Sequence, residues 1–492
     1  MGRNDHSGSQ SRGASKRAKA ARKALSTAAS YDAWKAAANA LDDATGKDAW
    51  RACPESPHYH HVELGRELAR LKALQAEQNT PELIRFIHES LHRWLNDILE
   101  PGLYAEAVGG TKDLIVSYLD AMESTIEGLV YGDLPGWNAK KKLAEVDRAY
   151  SNLGRSALLL SGGATLGFYH LGVIKALWEA KLLPEVISGA SMGAMIAAGV
   201  CGKTDEEIDE LFATDVPDID RVGLQWRPPG EAWKSGSLMR PERMLKTIRH
   251  NCGQLTFQEA FERSGRVLNI SVAPTRSRQK PRILNYLTAP NVWIPTAALA
   301  SSAVPGLFPP VSLMQRGRDG GHEPYIAGER WIDGSFGADL PMMRIGRLHN
   351  VNHFIVSQTQ PHALPLMSGI KRRGFLGMAT EAATSMARAQ GIPMAAAGRR
   401  IAGKTPLRAP AELLHSMINQ EYRGDIDIHP RFEPLEYRKL LKNPSKDDLG
   451  HFVREGEIAT WPKIAMIADH TRISRCLARC QRYLQTQVEK TE

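Results

Sequence analysis

Apolar positions divide the chain into a helical first part and an alternating second part. Over residues 31–150 they recur every three or four positions, as in Leu64, Leu68 and Leu71, and this period predicts helices. No alternating strand pattern occurs in that range. After residue 156, short apolar runs alternate with segments of helical period.

The short apolar runs predict the strands of a sheet. They cover residues 157–160, 186–188, 267–272 and 354–356. A segment of helical period lies between the first two runs, and another follows the second run. Residues 204–207 have the spacing of a capping box and predict the start of a helix. Strands that alternate with helices favour an α/β fold with a mainly parallel central sheet flanked by helices.

Four segments follow from this pattern. Residues 1–30 are predicted to form a basic disordered tail, 31–150 a helical N-terminal domain, and 151–360 the α/β domain. The remainder, 361–492, combines a basic Met-rich segment with C-terminal helices expected to pack on the α/β domain. Its stretch 361–410 fits either an amphipathic helix at a lipid interface or ordinary core packing.

Composition excludes several classes of protein. Of 492 residues, 42% are hydrophobic and 24% charged, which fits a globular protein and not a disordered one. Five cysteines without a C-x-x-C exclude a disulfide scaffold and a cysteine-rich zinc module, and fit a reducing compartment. No apolar run reaches the ~18 residues of a transmembrane helix. The basic N-terminus lacks the apolar core of a secretory signal.

The net charge of +9 is unevenly distributed. Residues 1–30 carry +6 and residues 371–410 carry +7, which leaves −4 for the rest of the chain. Two basic segments on a mildly acidic body fit either anionic partners or solvated surfaces. Nucleic acid is not expected as the partner, because the chain has no RNP sequence, zinc finger or basic strand interleaved with aromatic residues.

A G-x-S-x-G sequence is the first candidate for catalytic chemistry. Gly189-Ala190-Ser191-Met192-Gly193 lies between a predicted strand and a predicted helix, the context of a nucleophile elbow. Small neighbours at Gly189 and Gly193 permit a strained backbone at Ser191. The helix N-terminus behind the serine favours developing negative charge.

A glycine-rich loop precedes this serine by one helix. Its residues Gly162, Gly163, Ala164 and Gly167 follow the strand at 157–160. Main-chain amides in such a turn are suited to an oxyanion hole. Phosphate binding and simple turn geometry are the alternatives. However, no Gly-Lys-Ser/Thr follows, and Ala164 stands where a dinucleotide loop needs glycine.

A third motif, Asp333-Gly334-Ser335, follows the apolar pair Trp331-Ile332. Glycine beside the aspartate permits close approach to another loop, although a turn-capping aspartate alone is common. A Ser-Asp-His triad would need a late histidine, and none of the candidates lies in a glycine-flanked loop. These candidates are His349, His353, His362, His415, His429, His451 and His470.

Together these motifs resemble the patatin-like acyl hydrolase family. The matches come in order: the glycine loop, residues 189–193, the run Ala300-Ser301-Ser302-Ala303-Val304-Pro305-Gly306-Leu307-Phe308-Pro309-Pro310, and Asp333-Gly334. The helical segment resembles the N-terminal domain of triacylglycerol lipases of this family. Leu91-His92-Arg93 and Gly110-Thr111-Lys112 carry that second likeness.

The resemblance implies a Ser-Asp dyad of Ser191 and Asp333 that cleaves carboxylic esters of lipids without metal or organic cofactor. Many relatives have a basic residue in the glycine loop where this chain has Leu166, which favours neutral acylglycerols, triacylglycerol above all. A phospholipase or lysophospholipase on the same dyad, or a non-catalytic lipid-binding scaffold, are the alternatives. Asp333 accepts the serine proton directly in this mechanism.

A water-insoluble substrate implies work at an interface. The two basic segments are therefore expected to bind an anionic membrane or the phospholipid coat of a lipid droplet. The expected location is cytoplasmic with peripheral attachment. The sequence does not indicate an oligomeric state.

Overall fold

A computed structural model gives the architecture. It describes residues 5–93, 100–214, 216–219, 223–276, 279–334, 340–360, 423–433 and 435–491, without the side chains of 5–12, 92 and 93. The Met-rich stretch 361–410 and Ser335 lie outside the described residues. The chain divides into a helical unit (1–155, 179–182 and 460–492) and an α/β unit (156–178 and 183–459).

The helical unit consists of amphipathic helices and one long C-terminal helix. The helices from residue 61 onwards share a core that includes Leu64, Leu71, Tyr118 and Met122, and the first two helices form a separate small cluster. The helices are α1 (Asp5–Thr27), α2 (Tyr31–Ala44), α3 (Lys47–Ala52), α4 (His61–Glu77), α5 (Thr80–Arg93), α6 (Asp113–Tyr131) and α7 (Ala139–Leu153). A 3₁₀ turn, Pro101–Tyr104, precedes α6.

Helix α1 corrects the expectation of a disordered tail. Residues 5–27 are helical, and Ala18 and Ala21 pack against Leu41 of α2. The sequence argument weighed only the basic charge. Alanine, lysine and arginine are strong helix formers, and the alanines three residues apart give the helix a small apolar face.

The last helix corrects a second expectation. A 3₁₀ turn, Trp461–Lys463, leads into Ile464–Glu489. That helix belongs to the helical unit, where Ile473, Leu477 and Leu484 join its core. Arg472 and Arg479 also pair with Glu123 of α6, at 2.5 and 2.8 Å. Spacing alone predicts an apolar face but not which partner covers it.

The α/β unit contains the sheet and the helices around it. Its strands are β1 (Arg155–Leu160), β2 (Val186–Gly189), β3 (Val267–Pro274), β4 (Arg282–Leu284), β5 (Met314–Arg316), β6 (His322–Pro324), β7 (Trp331–Asp333), β8 (Val351–Ser357) and β9 (Ile426–Ile428). Its helices are α8 (Tyr169–Glu179), α9 (Met192–Cys201), α10 (Asp205–Phe212), α11 (Pro229–Ser235), α12 (Pro241–Cys252), α13 (Phe257–Ser264), α14 (Ile294–Ser301), α15 (Met342–His349) and α16 (Lys446–Thr460). The C-terminal helix above is α17. The capping box at Thr204 is present, with both of its hydrogen bonds.

The central sheet has the order β4-β3-β2-β1-β8-β9. The pairs β1–β2, β2–β3 and β8–β9 are parallel, whereas β4 and β7 run antiparallel to β3. Leu158, Leu159 and Leu160 are all fully buried, because helices cover both faces of a parallel sheet. The predicted fold class, a mainly parallel sheet flanked by helices, is confirmed.

The order of the strands positions the glycine loop and the turn that carries Ser191. From β1 the chain proceeds to β2 and β3 on one side, while β8 and β9 lie on the other side. Such a reversal opens a crevice at the carboxyl ends of the strands. The glycine loop follows β1, and the G-x-S-x-G turn follows β2. Both therefore lie at this crevice.

Helix α8, which follows the glycine loop, packs tightly on α16. A Cβ built on Gly172 would overlap the carbonyl oxygen of Val453, so the two helices approach at backbone distance. Lys175 and Glu457 form a buried ion pair at 3.2 Å between the same two helices. This contact fixes the helix that follows the glycine loop.

The close approach predicts a stability effect. Gly172→Ala should lower the free energy of unfolding by about 2 kcal/mol, because the added methyl meets backbone that cannot move aside. Gly199→Ala in α9 is the matched control, since a Cβ there meets only Asn251 O at 3.9 Å. Urea unfolding of both variants measures the difference; equal stabilities would contradict the packing.

Candidate active site

Ser191 lies on the sharp turn between β2 and α9. Its backbone has φ 52° and ψ −121°, a conformation that costs a non-glycine residue roughly 1–3 kcal/mol. A Cβ on Gly193 would overlap the carbonyl oxygen of Leu160, and one on Gly189 would overlap Gly193. Glycine at both positions therefore permits the turn, as the motif predicts, and the serine side chain stays partly exposed at the start of α9.

Asp333 ends β7 and is almost wholly buried, with 1% of its surface exposed. Its neighbour Gly334 passes so close to Ser271 of β3 that a Cβ would overlap the Ser271 carbonyl. The sequence predicted a close approach to another loop at this glycine, whereas the neighbour is strand β3. Ser335, the last residue of the motif, lies outside the described part of the chain.

One short segment at the C-terminal end of α14 holds both motifs. The amide N–H of Ser191 donates to Ser301 Oγ at 3.1 Å. The amide N–H of Asp333 donates to the carbonyl oxygen of Ala303 at 3.1 Å. Ser301 is completely buried. Two residues of one segment therefore fix the backbone of Ser191 and that of Asp333.

The sheet register brings the same two motifs to one edge. Strand β4 pairs with residues 270–272 along one side of β3. On the other side, β2 ends with Gly189 opposite Ile270, and β7 then continues with Asp333 opposite Val272. Two residues along a strand span about 6.6 Å. Asp333 thus lies just beyond the end of β2, where the chain turns into the serine motif.

The glycine loop continues directly into a 3₁₀ turn, Ala164–Phe168, and then into α8. Ala164 has φ 46°, a left-handed conformation that strains an alanine. Gly163 and Ala164 are partly exposed, and neither donates its amide N–H to another group among the described residues. A Cβ on Gly167 would meet Met192 Cγ at 2.5 Å, so the loop contacts the residue that follows the serine.

A buried network holds the carbonyl groups of this loop. His170 Nε2 lies 3.0 Å from the Ser161 carbonyl oxygen, and its Nδ1 lies 2.7 Å from Ser357 Oγ. The carbonyl requires a proton on Nε2, so Nδ1 accepts from the serine hydroxyl. Thr359 Oγ1 donates to the Gly162 carbonyl at 3.0 Å. Because these hydrogen bonds hold the carbonyl groups on the buried side of the loop, the amide N–H groups of the loop can point away from it.

His170 is a residue that the sequence reasoning missed. Complete burial lowers its pKa to about 4, so the ring is neutral near pH 7 and acts as a fixed hydrogen-bonding group. Its partner Ser357 lies 187 residues further along the chain. No local pattern signals such a contact.

The late histidines considered for a triad have partners elsewhere or lie outside the described residues. His349 bonds Asn269 at 2.9 Å, His353 bonds Ser156 at 3.1 Å and His451 bonds Glu436. His362 and His415 fall in the stretch that is not described.

Leu166 stands where many relatives have a basic residue. Its side chain is completely buried and so faces the protein interior. The loop contains no charged side chain from Gly162 to Gly167 and offers a substrate its main-chain amides.

Comparison with known proteins gives the family of the chain. A family model for patatin-like phospholipases matches residues 158–344, and one for a domain of unknown function, DUF3336, matches residues 11–148. A patatin-like phospholipase domain-containing protein of Neosartorya fischeri is 32% identical over 492 residues, which cover 93% of this chain and 68% of the relative. The chain belongs to the patatin-like phospholipase family.

Other members of the patatin-like family extend beyond this chain. A relative in Neurospora crassa is 34% identical over 410 residues, covering 78% of this chain and 46% of its own length. One in Aspergillus niger is 31% identical over 454 residues, covering 85% and 59% respectively. The chain thus spans about half the length of these two relatives. None of its described helices combines the length and apolar character needed to cross a bilayer.

The buried His170 predicts a pH dependence of stability. Because its folded pKa of about 4 lies below the ordinary value of 6.5, the unfolded chain binds the proton first on acidification. The free energy of unfolding should therefore fall between about pH 6.5 and 4, by up to about 1.4 kcal/mol per pH unit for this group.

Urea unfolding at a series of pH values measures this dependence. His170→Gln should lose this contribution to the slope, and His250→Gln, on the surface of α12, should keep it. The same slope in all three proteins would contradict the assignment.

Proposed function

We propose that the protein is a lipid ester hydrolase in which Ser191 is the nucleophile and Asp333 the base. The observation that carries the proposal is the shared segment at 301–303, which holds the backbones of both residues at one end of the sheet. Strain at Ser191 and glycine on either side of its turn support a nucleophile at this position.

The residues have defined roles in this reaction. Ser191 Oγ attacks the ester carbonyl and Asp333 takes the proton as the C–O bond forms. A buried carboxylate accepts a proton more readily than a hydrated one. The amides of Gly163 and Ala164 stabilise the oxyanion, and loss of one such donor typically costs about 3–4 kcal/mol. As the ester C–O bond breaks, Asp333 returns this proton to the departing alcohol oxygen and leaves the acyl group on Ser191. The regenerated carboxylate then takes a proton from the water that attacks the acyl-enzyme, and the fatty acid leaves as the bond to Ser191 Oγ breaks and the serine is reprotonated.

Acylglycerols, triacylglycerol above all, are the proposed substrates. The support is a glycine loop without a cation and an N-terminal helical domain similar to that of triacylglycerol lipases in this family. Phospholipids are the second candidate, favoured by the phospholipase name that the relatives carry. A non-catalytic scaffold is less well supported, since it would not need strain at both Ser191 and Ala164.

The proposed place of action is a lipid interface. The basic segments at 1–30 and 371–410 suit attachment to an anionic membrane or to the coat of a lipid droplet. The first of them includes the basic helix α1. Attachment would be peripheral and sensitive to ionic strength.

Removal of either proposed catalytic group should abolish hydrolysis. Ser191→Ala is expected to lose at least about a thousandfold in kcat on a short-chain ester, and Asp333→Asn nearly as much. Labelling by a fluorophosphonate should vanish in the serine variant, because the labelled oxygen is gone. Ser264→Ala and Asp209→Asn, both in the α/β unit, are the matched controls. Activity near the wild-type level in either catalytic variant would contradict its role.

Substrate class requires a direct comparison. Purified protein is incubated with mixed emulsions of triolein, diolein and phosphatidylcholine, and the released oleate is assigned to its source by the products that remain. The proposal predicts faster loss of triolein and diolein than of phosphatidylcholine. The reverse order would favour the phospholipase alternative while leaving the dyad intact.

A further inference from the structure

A basic groove lies on the α/β unit, separate from the glycine loop. It has a volume of about 680 Å³ and lies between the edge strand β4 and helix α15. Four cationic side chains line it: Lys280, Arg282, Arg344 and Arg347. Gln279 and Tyr325 add polar groups, and no acidic residue is among the described residues that line it.

The positive charge of this basic groove is not neutralised within the described part of the chain. None of its four cations takes part in a salt bridge there. Arg344 donates to the carbonyl oxygen of Pro281, and the Arg282 guanidinium lies 5.4 Å from the Trp331 ring centre. Both contacts orient a cation without cancelling its charge. Such a groove fits a phosphate, which accepts several hydrogen bonds from guanidinium and ammonium groups.

One exposed apolar side chain lines the same groove, and two others neighbour lining residues in the sequence. Leu348 lines it and is 37% exposed, while Met343 precedes Arg344 and is 75% exposed. Leu287, next to the lining residue Thr288, is 52% exposed. A free phosphate ester would have no use for this apolar border. A lipid surface presents phosphates and acyl chains together, which fits cations and apolar groups side by side.

The groove adjoins the proposed catalytic edge. Arg282 and Asp333 lie opposite Val272 on the two sides of β3. Two strand spacings amount to about 9.6 Å. A headgroup held by Arg282 would therefore keep this edge of the sheet at the lipid surface.

We propose that this groove binds the phosphate of an anionic phospholipid and seats the α/β unit on the interface. The bound lipid is an anchor and not the hydrolysed molecule. The inference rests on the proposed function only for the presence of a lipid interface. It adds a defined site to the two basic segments of the sequence, at residues that neither segment includes.

Vesicle binding of the full chain tests the proposal. The Ser191→Ala background keeps hydrolysis out of the measurement, so the outcome does not depend on the dyad. Vesicles of phosphatidylcholine mixed with phosphatidic acid are compared with phosphatidylcholine alone at one ionic strength. Lys280→Gln with Arg347→Gln should weaken binding to the anionic vesicles about tenfold or more. Binding to phosphatidylcholine alone should not change.

A second double variant distinguishes the effect of the groove from the effect of positive charge in general. Lys246→Gln with Arg249→Gln removes two exposed cations from α12 in the same unit and should change binding less than about twofold. Equal losses in both double variants would overturn the proposal. It would also be overturned if the groove variant bound vesicles normally but lost binding of inorganic phosphate, which would indicate a site for soluble phosphate esters. Thermal unfolding of each variant checks the fold.

Discussion

The proposed catalytic site depends on the hydrogen bonds of one short segment. Ser301 Oγ accepts the amide of Ser191, and the carbonyl of Ala303 accepts the amide of Asp333. The two catalytic motifs are 142 residues apart in the sequence, and neither could hold the other in place alone. Strain at Ser191 persists because this segment and the glycine contacts around the turn fix the backbone from several sides.

A second network holds the glycine loop. His170 and Thr359 bind the carbonyls of Ser161 and Gly162 from the buried side, while Gly163 and Ala164 remain partly exposed. Helix α8 follows this loop and packs on α16 through close backbone contact and a buried ion pair. An oxyanion hole needs amides fixed before the reaction begins. Packing far from the loop therefore contributes to its geometry.

Sequence patterns predicted those features that depend on residues close together in the chain. The apolar runs located β1, β2 and β3, and the small residues around Ser191 located its turn, because a strand followed by a glycine-flanked turn is specified within a few residues. Contacts between distant parts of the chain were not predictable in this way. His170 finds Ser357 across the sheet, α17 finds its partners in the helical unit, and Leu166 faces inward. The prediction of a disordered tail rested on the basic charge of residues 1–30 and did not consider the helix propensity of the alanines in α1.

The central claim is that Ser191 and Asp333 meet beneath the amides of Gly163 and Ala164. A crystal structure of the full chain after reaction with a fluorophosphonate tests it most directly. The account predicts phosphorus on Ser191 Oγ, the phosphonyl oxygen about 3 Å from one or both amides, and the Asp333 carboxylate beside the modified serine. A phosphonyl oxygen directed away from the loop, or a histidine ring between Ser191 and Asp333, would contradict it.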